Sequence, residues 1–321
     1  MKESSRASAP AKVIMFGEHF VIYNRLAVAA AIDLRAYVNV GPRPDNKIVI
    51  SSGVMGSCGE FTLDGGYAGD ARLKPIYIAA KNILNLTGER VGLDISIESQ
   101  IPIAAGLGSS AAVLVATTAA VGSLLELNLD KDNIFRLALE AERIVHENPS
   151  GIDPAVSTYG GILVYRRSEG ARRLNVNMDL PMVLGDTRVK RETREMILLV
   201  GELRRLHQEL IDGIMDIGNM ISNLAIKALE SRNLESLGRF MNVNHALLYA
   251  IGISNWAIEN LVWAARRAGA LGAKLTGAGG GGCIIALSTQ ENMLRVAEAI
   301  KMAGGEPFMA NIAYEGVRIE E

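Results

Sequence analysis

Residues 101–113 constrain the fold more than any other stretch of this sequence. They read Ile-Pro-Ile-Ala-Ala-Gly-Leu-Gly-Ser-Ser-Ala-Ala-Val, and a run dominated by alanine, valine, leucine and threonine follows as far as Leu127. This pattern predicts a glycine-rich loop that leads into a buried helix. The unpaired amides and the dipole at such a helix start would bind phosphate, and a tight turn closed by a serine cap is the alternative. Ser109 or Ser110 could cap the helix, and the other could reach a metal ion that accompanies the phosphate.

The length and composition of the chain limit its architecture. It has 321 residues, which is long for one core, and 49% of them are apolar, so two domains are expected. A formal charge of −2 provides no basic field for nucleic acid. The sequence has no signal-like start, no apolar run of transmembrane length and only two cysteines, Cys58 and Cys283. It therefore predicts a reduced, cytoplasmic protein without membrane attachment, whose thiols are small core residues rather than a disulfide.

The first apolar element, residues 11–16, is typical of a strand covered on both faces, and residues 1–8 are expected to be frayed. Lys12 is the exception in this strand. Its side chain would either reach solvent at the strand edge or enter a pocket with an anionic partner. Glu18 and His19 follow the strand after one glycine, where either could hydrogen-bond a hydroxylated substrate, although a simple turn would also explain them.

Two carboxylates are expected to meet near the middle of the chain. A helix is predicted from Asp130 or Asp132 to Pro149, because apolar residues recur there at the helical period. Glu142 lies at the margin of the inward stripe, so its carboxylate needs an arginine, a backbone amide or a metal ion as its partner. Asp153 follows after one short turn, close enough for both carboxylates to line one cavity.

The remaining segments suggest an α+β architecture with a domain boundary near residue 175. Predicted strands cover residues 26–40, 48–51, 61–63, 93–98, 284–287 and 308–313, and predicted helices cover residues 71–86, 193–231, 234–250, 254–268 and 291–302.

A second glycine-rich stretch occupies residues 274–283, with four consecutive glycines before Cys283. Such a run loses much conformational entropy on folding, and a backbone packed flat against phosphates or against another loop would explain it. The polar segment at residues 185–190 could be a substrate loop or an ordinary surface loop.

Three stretches together resemble the signatures of the GHMP kinase family. Residues 10–19 are similar to the first signature, residues 102–110 to the second and residues 274–283 to the third, in the family's order. The resemblance implies a two-domain α+β fold. Residues 1–175 would form an N-terminal, ribosomal-protein-S5-like α/β domain that binds ATP, and residues 176–321 a C-terminal, ferredoxin-like α+β domain.

Within the family, residues 20–23, 142–161 and 186–190 are most similar to mevalonate kinases. This likeness implies an ATP-dependent kinase that uses Mg²⁺ and phosphorylates the 5-hydroxyl of mevalonate. Another small-molecule kinase of the family is an alternative. A phosphomevalonate kinase would need extra cations near its acceptor, for which Arg188, Lys190 and Arg191 are candidates. A non-catalytic metabolite sensor on the same fold is a further alternative.

The family's roles can be transferred to the matching residues of this chain. Asp153 and Lys12 would be catalytic, with Asp153 acting on the attacking hydroxyl either as a base or as an orienting group. Mg²⁺ would be held by Ser110 and Glu142. The predicted ATP-binding residues are Lys12, Ser99, Pro102, Ala104, Ala105, Gly106, Leu107, Gly108, Ser109 and Ser110. The predicted mevalonate-binding residues are Glu18, His19, Asp153, Tyr159 and Thr187.

The sequence departs from the family at Ala11, Asn24 and Arg188, which stand where glycine is common. Asparagine tolerates the left-handed conformation best after glycine, so Asn24 is expected to adopt it. Arg188 could alter the substrate loop. The long apolar helices of the second half would serve burial within that domain or a dimer face, and a homodimer is the expectation.

Overall fold

The computed structural model describes residues 1–102, 105–143, 150–190 and 193–320. Within these residues the strands are β1 (Ser5–Phe16), β2 (Ala27–Arg43), β3 (Lys47–Ser52), β4 (Ser57–Thr62), β5 (Tyr67–Gly69), β6 (Gly92–Ser99), β7 (Ile162–Arg166), β8 (Gly170–Leu174), β9 (Met182–Asp186), β10 (Gly272–Leu275), β11 (Cys283–Leu287), β12 (Glu306–Ala310) and β13 (Arg318–Glu320). The helices are α1 (Lys74–Thr87), α2 (Ser109–Leu124), α3 (Lys131–Arg143), α4 (Ile152–Tyr159), α5 (Thr193–Leu206), α6 (Gln208–Glu230), α7 (Leu234–Ala250), α8 (Trp256–Arg267) and α9 (Met293–Met302). No helix in these ranges combines the length and the apolar character that crossing a membrane requires.

The first half of the chain builds a large mixed sheet. Its strand order is β13-β1-β2-β6-β3-β4-β5, and β7 joins β2 and β8 at the side. The pairs are antiparallel except for β3 with β6, which are parallel. Because β2 is long enough to pair with β1, β6 and β7 along its length, it joins the two parts of this sheet.

Helix α2 fills the centre of the first half. Every residue from Ala111 to Gly122 is buried, which confirms the predicted buried helix. Small side chains allow this close packing: a Cβ on Gly122 would lie 2.5 Å from a methyl carbon of Leu129. The helix packs on β1 and β2 and on α1, α3 and α4, so its N-terminus is fixed relative to the sheet.

The second half contains a smaller antiparallel sheet of strand order β10-β11-β9-β12. Helices α7 and α8 pack on β10, and α9 packs on β9 and β12. Strands and helices on one sheet agree with the predicted α+β class.

The chain then returns to the first sheet. Strand β13 pairs with β1 from Arg6 to Ser8, and the buried Arg35 guanidinium donates to the carbonyl oxygens of Ser8 and Gly316. We propose a domain boundary near residue 175, between β8 and β9, with this returning segment packed on the first domain.

Several local predictions were wrong. Residues from Ser5 onward are not frayed, because they form the start of β1. The predicted helix at residues 193–231 is broken at His207, whose φ of −135° is not helical. Cys58 is an exposed free thiol rather than a core residue, whereas Cys283 is buried as predicted.

Phe20 joins the two halves through apolar contact. It lies in a one-turn 3-10 helix after β1, is fully buried and packs in the core of the second half. A Cβ on Gly218 of α6 would lie 2.3 Å from its ring, so only glycine leaves room for the phenyl group there.

We expect Phe20→Ala to lower the free energy of unfolding by about 3–5 kcal/mol, because it removes buried area and leaves a cavity. Chemical denaturation followed by circular dichroism measures this loss. Met302→Ala is the control, since Met302 is 84% exposed, and it should change stability by less than about 0.5 kcal/mol. Equal effects of the two variants would contradict the assigned core position.

Candidate active site

The N-terminus of α2 lies directly against β1. Gly108 caps the helix with φ 75°, and the Lys12 amide donates to the carbonyl of Leu107 at 2.8 Å. A Cβ on Gly108 would lie 2.8 Å from Cγ of Lys12. The loop therefore needs glycine both for its backbone angle and for space.

The amides that open α2 lie at the helix start that the sequence predicts after the glycine-rich loop. The Ala112 amide bonds to the carbonyl of Gly108, and the amides before it have no acceptor within the helix. Together with the positive end of the helix dipole they favour an anion at this position. The predicted serine cap is wrong, because Gly108 occupies the cap and no side chain bonds there.

Ser109 and Ser110 instead line a cavity of about 290 Å³. Ser99 also lines it, so three predicted ATP-binding residues meet here. The sequence analysis did not assign the rest of the lining to ATP: Ser52 of β3, Ile97 of β6, Pro75 and Ile76 of α1, Val113 of α2, and Val54, Met55 and Arg72 outside the labelled strands and helices. The local sequence around these residues does not distinguish them from ordinary core and surface positions.

The remaining predicted ATP-binding residues form the approach to α2. Ala105 and Leu107 are buried, Gly106 has a positive φ of 77°, and Pro102 is partly buried. Ala104 lies outside the described residues.

Lys12 enters a pocket rather than reaching solvent. Its Nζ lies 3.0 Å from Oδ1 of Asp153, which sits in the first turn of α4. The Lys12 side chain is 8% exposed and that of Asp153 is 30% exposed, so solvent reaches the pair on the Asp153 side. Oδ2 of Asp153 also approaches Gly108, which brings β1, α2 and α4 together at one point.

Glu142 faces the same site from α3. Its residue is buried, and its Oε2 atom has no hydrogen-bond partner among the described residues. Burial first and the charge of Asp153 second raise the pKa of Glu142 to about 7, and Lys12 acts in the opposite direction. A buried carboxylate beside a second carboxylate is the environment that a cation would relieve.

The donor set fits Mg²⁺, which prefers carboxylate and hydroxyl oxygens together with phosphate oxygens. The unpartnered Oε2 of Glu142 and the hydroxyl of Ser110 are the candidate protein ligands. The described part of the chain holds no group of three His, Cys, Asp or Glu side chains that could bind a metal alone.

The segment after β1 points toward the second half of the chain. The Glu18 carboxylate is paired with the Lys274 ammonium and accepts from Nδ2 of Asn244 at 3.2 Å, so both of its oxygens are occupied within the protein. Nε2 of His19 lies 2.8 Å from the carbonyl oxygen of Ala278, in the glycine-rich stretch. The sequence indicated neither Lys274 nor Asn244 as the partner of Glu18.

The glycine-rich stretch packs against other loops, which is one of the two expected explanations. Gly280, with φ 70°, donates to the carbonyl of Ile253 at 2.8 Å. A Cβ on Gly281 would lie 2.5 Å from the carbonyl oxygen of Val189. The Thr187 hydroxyl donates to the carbonyl of Gly282 at 2.8 Å, so the segment after β9 and this stretch form one wall.

Tyr159 lines a different cavity from Ser109 and Ser110. Its hydroxyl donates to Asp132 at 2.7 Å, and it lines a separate cavity of about 500 Å³ beside α3 and the β7–β8 hairpin. Lys12 and Asp153 do not line that cavity.

Comparison with known proteins shows the family of this chain. The family model described as "GHMP kinases N terminal domain" matches residues 74–161, and "GHMP kinases C terminal" matches residues 225–304. A mevalonate kinase of Pyrococcus horikoshii is 43% identical over 98% of this chain and 97% of its own length. One of Archaeoglobus fulgidus is 39% identical over 98% of this chain and 99% of its own. The chain belongs to the mevalonate kinase family of GHMP kinases.

Solved structures agree with the family fold. The crystal structure of L. major mevalonate kinase in complex with R-mevalonate has a TM-score of 0.86 and 25% identity, covering 97% of each chain. The Methanococcus jannaschii mevalonate kinase has a TM-score of 0.85 and 27% identity, covering 96% of this chain and 98% of its own. The two-domain GHMP kinase fold expected from the sequence is thereby confirmed.

Two departures from the family's glycine pattern have structural explanations. Asn24 adopts the left-handed conformation with φ 61°, as predicted. Arg188 has φ 59°, and its guanidinium pairs with Glu306 of β12. Arg188 therefore has the left-handed backbone conformation that glycine adopts readily, and its side chain forms an ion pair with the second sheet. Lys190 is exposed, and Arg191 lies outside the described residues.

The raised pKa of Glu142 predicts a pH effect in metal-free protein. The ordinary pKa is near 4.5, so between about pH 4.5 and pH 7 the folded chain binds a proton that the unfolded chain has lost. Rising pH therefore destabilises the fold, by about 3 kcal/mol in total over this interval. We expect Glu142→Gln to remove this pH-dependent loss of stability.

Urea unfolding of both proteins from about pH 4.5 to pH 8, with a chelator present, measures the effect. The stability of the wild type relative to Glu142→Gln should fall as the pH rises. Parallel profiles for the two proteins would contradict the raised pKa.

Proposed function

We propose that this chain transfers the γ-phosphoryl group of ATP to the 5-hydroxyl of mevalonate. Its full-length relatives are mevalonate kinases, and this activity also agrees with the chemistry of the site. The observation that carries the mechanism is the convergence of Lys12, Asp153 and Glu142 at the N-terminus of α2. Phosphoryl transfer requires mainly positioning and charge neutralisation, which these groups can supply.

The phosphates of ATP would lie along residues 105–110. There the opening amides of α2 donate hydrogen bonds to phosphate oxygens, and the helix dipole adds positive potential. Lys12 faces the transferring group and stabilises the charge that develops on it. Ser110 and Glu142 would hold Mg²⁺, which when bound neutralises charge on the phosphates.

The nucleotide base would enter the cavity of about 290 Å³ beside Ser109 and Ser110. Apolar side chains including Met55, Pro75 and Val113 line this cavity, which suits a flat aromatic ring. This assignment places the base and the phosphates at adjacent positions on one helix end.

Asp153 would face the attacking hydroxyl of mevalonate. Its ion pair with Lys12 fixes the carboxylate, which accepts a hydrogen bond from the hydroxyl and orients the oxygen lone pair toward phosphorus. As the new P–O bond forms, the bond between the γ phosphorus and the β–γ bridging oxygen breaks, ADP leaves, and the proton of the hydroxyl passes to this carboxylate. His19 and Thr187 lie on the wall formed with the glycine-rich stretch and would contact the rest of the acceptor.

Two alternatives remain to be compared with this function. A phosphorylated acceptor would need extra cations: the guanidinium of Arg188 is engaged by Glu306, whereas Lys190 is exposed, so the choice of acceptor decides between the two kinases. A sensor without catalysis would not need an ammonium and two carboxylates at the phosphate end of its ligand.

An ADP-release assay with ATP and Mg²⁺ tests the proposed function. ADP should form with mevalonate and not with phosphomevalonate, galactose or homoserine as the acceptor. Turnover of phosphomevalonate alone would refute the proposed acceptor while leaving the family and the reaction class intact. Absence of ADP with every acceptor would favour the sensor.

Asp153→Asn should lower kcat with mevalonate by about 10²–10⁴-fold, because it removes the proton acceptor beside the hydroxyl. Binding of a non-hydrolysable ATP analogue, measured by calorimetry, should stay within about threefold of the wild type, since Asp153 does not form the phosphate loop. Asp64→Asn is the matched control at an exposed surface pair and should retain full turnover. Unchanged turnover in Asp153→Asn would remove this residue from the mechanism.

We also propose that the chain forms a homodimer through α6. Leu210, Gly213, Ile217, Met220 and Leu224 recur at helical spacing on its exposed face, and their four large side chains are 43–64% exposed. An apolar stripe of this kind is typical of an interface, and Gly213 leaves space for a side chain of a second helix.

Light scattering after size exclusion should give twice the chain mass for the wild type. Met220→Glu should shift the mass to that of one chain, because it places a charge in the proposed interface. Leu86→Glu changes an equally exposed apolar residue on α1 and should leave the dimer intact. A wild type that runs as a single chain would contradict the proposal.

A cytoplasmic location is proposed with this function. Cys58 is an exposed free thiol, and such thiols persist in reducing compartments.

A further inference from the structure

Three contacts tie the second glycine-rich stretch to the segment around β1. The Lys274 ammonium pairs with Glu18. The Thr276 hydroxyl accepts from the Ile14 amide and donates to the Ile14 carbonyl, both at 3.0 Å. The carbonyl oxygen of Ala278, two residues farther along, lies 2.8 Å from Nε2 of His19. The contacts therefore recur at every second residue from 274 to 278.

The first of these contacts is the most deeply enclosed. The side chain of Lys274 is 0% exposed and that of Glu18 is 1% exposed. The Lys274 ammonium also donates to the carbonyl of Leu275, and the second Glu18 oxygen accepts from Asn244 of α7. Burial raises the pKa of Glu18 and lowers that of Lys274, and each charge opposes the shift of the other.

A buried ion pair is weak evidence for stability, because desolvation of the two charges offsets much of their attraction. Its geometric effect is more specific. Glu18 follows the strand that carries Lys12, whereas Lys274 leads into the loop that packs against Thr187. The pair therefore joins the strand of the phosphoryl-transfer site to the wall proposed for the acceptor.

We propose that Glu18 is a positioning residue that acts through Lys274 and does not contact the acceptor. Both carboxylate oxygens are occupied within the protein, and the whole residue is 3% exposed. The ion pair fixes the glycine-rich stretch, and hence the acceptor wall, relative to Lys12 and Asp153. This inference rests on the proposed function, since it concerns the alignment of mevalonate.

The inference predicts which kinetic constants change. The ATP loop is joined to β1 by a different contact, between the Lys12 amide and Leu107. Breaking the Glu18–Lys274 pair should therefore misplace the acceptor while leaving the ATP loop in position. A displacement of about 1 Å in an aligned site can lower the rate by about 10²-fold.

A double-mutant cycle tests this with Glu18→Gln, Lys274→Met and the double variant, which preserve side-chain volume. Each single variant should lower kcat/KM for mevalonate by about 10²-fold, with KM for ATP within about threefold of the wild type. The double variant should be more active than the product of the single effects predicts, because it leaves no unpaired buried charge. Glu235→Gln, at the exposed pair with Arg239, is the control and should match the wild type.

If the effects of the two single variants on kcat/KM simply multiply in the double variant, or if Glu18→Gln keeps full activity, the inference is overturned. The proposed function still stands in either case, provided that the wild type phosphorylates mevalonate. An inactive wild type with mevalonate would overturn both.

If a single variant fails to fold, Thr276→Val and Thr276→Ser test the neighbouring contact. Thr276→Val should raise KM for mevalonate and not for ATP, and Thr276→Ser should restore it, because serine keeps the hydroxyl bonded to Ile14. Equal constants in all three proteins would overturn the inference.

Discussion

The close approach of α2 to β1 is the constraint on which the site depends. The helix can meet the strand only because Gly108 has no side chain at the point where Lys12 passes. Burial of α2 on all sides then holds its N-terminus in place, since the helix cannot rotate or slide without opening the core. The anion-binding amides are thus positioned by apolar packing, and the polar groups of the site are added around them.

The charges around this helix end do not balance within the chain. Lys12 provides one ammonium, and it is paired with Asp153, whereas the buried Glu142 oxygen finds no partner among the described residues. The Mg²⁺ proposed at Glu142 would supply the missing positive charge, and the phosphates that it accompanies would offset that charge in turn. The nucleotide and the metal ion would therefore bind together.

Much of this arrangement could be predicted from the sequence, because it depends on patterns within single elements. The glycine-rich loop, the long apolar run and the inward position of Glu142 each reflect a single element and its period. Long-range pairings left no such signal: Glu18 and Lys274 are 256 residues apart in the sequence. The prediction of a serine cap was wrong because Gly108 itself occupies the cap position in a left-handed conformation. The prediction of a single helix at residues 193–231 was wrong because the helix breaks at His207, where neither proline nor glycine marks the break. Tyr159 shares α4 with Asp153 but bonds to Asp132 on α3, which sequence spacing alone did not reveal.

The return of β13 to β1 has a consequence for how the molecule is made. Ser8 of β1 and Glu320 of β13 are hydrogen-bonded although they lie 312 residues apart. During synthesis on the ribosome, this edge of β1 therefore stays unpaired until all four strands of the second sheet have been made. Unpaired edge strands can pair with other chains, so this part of β1 is prone to aggregation until β13 pairs with Arg6 to Ser8.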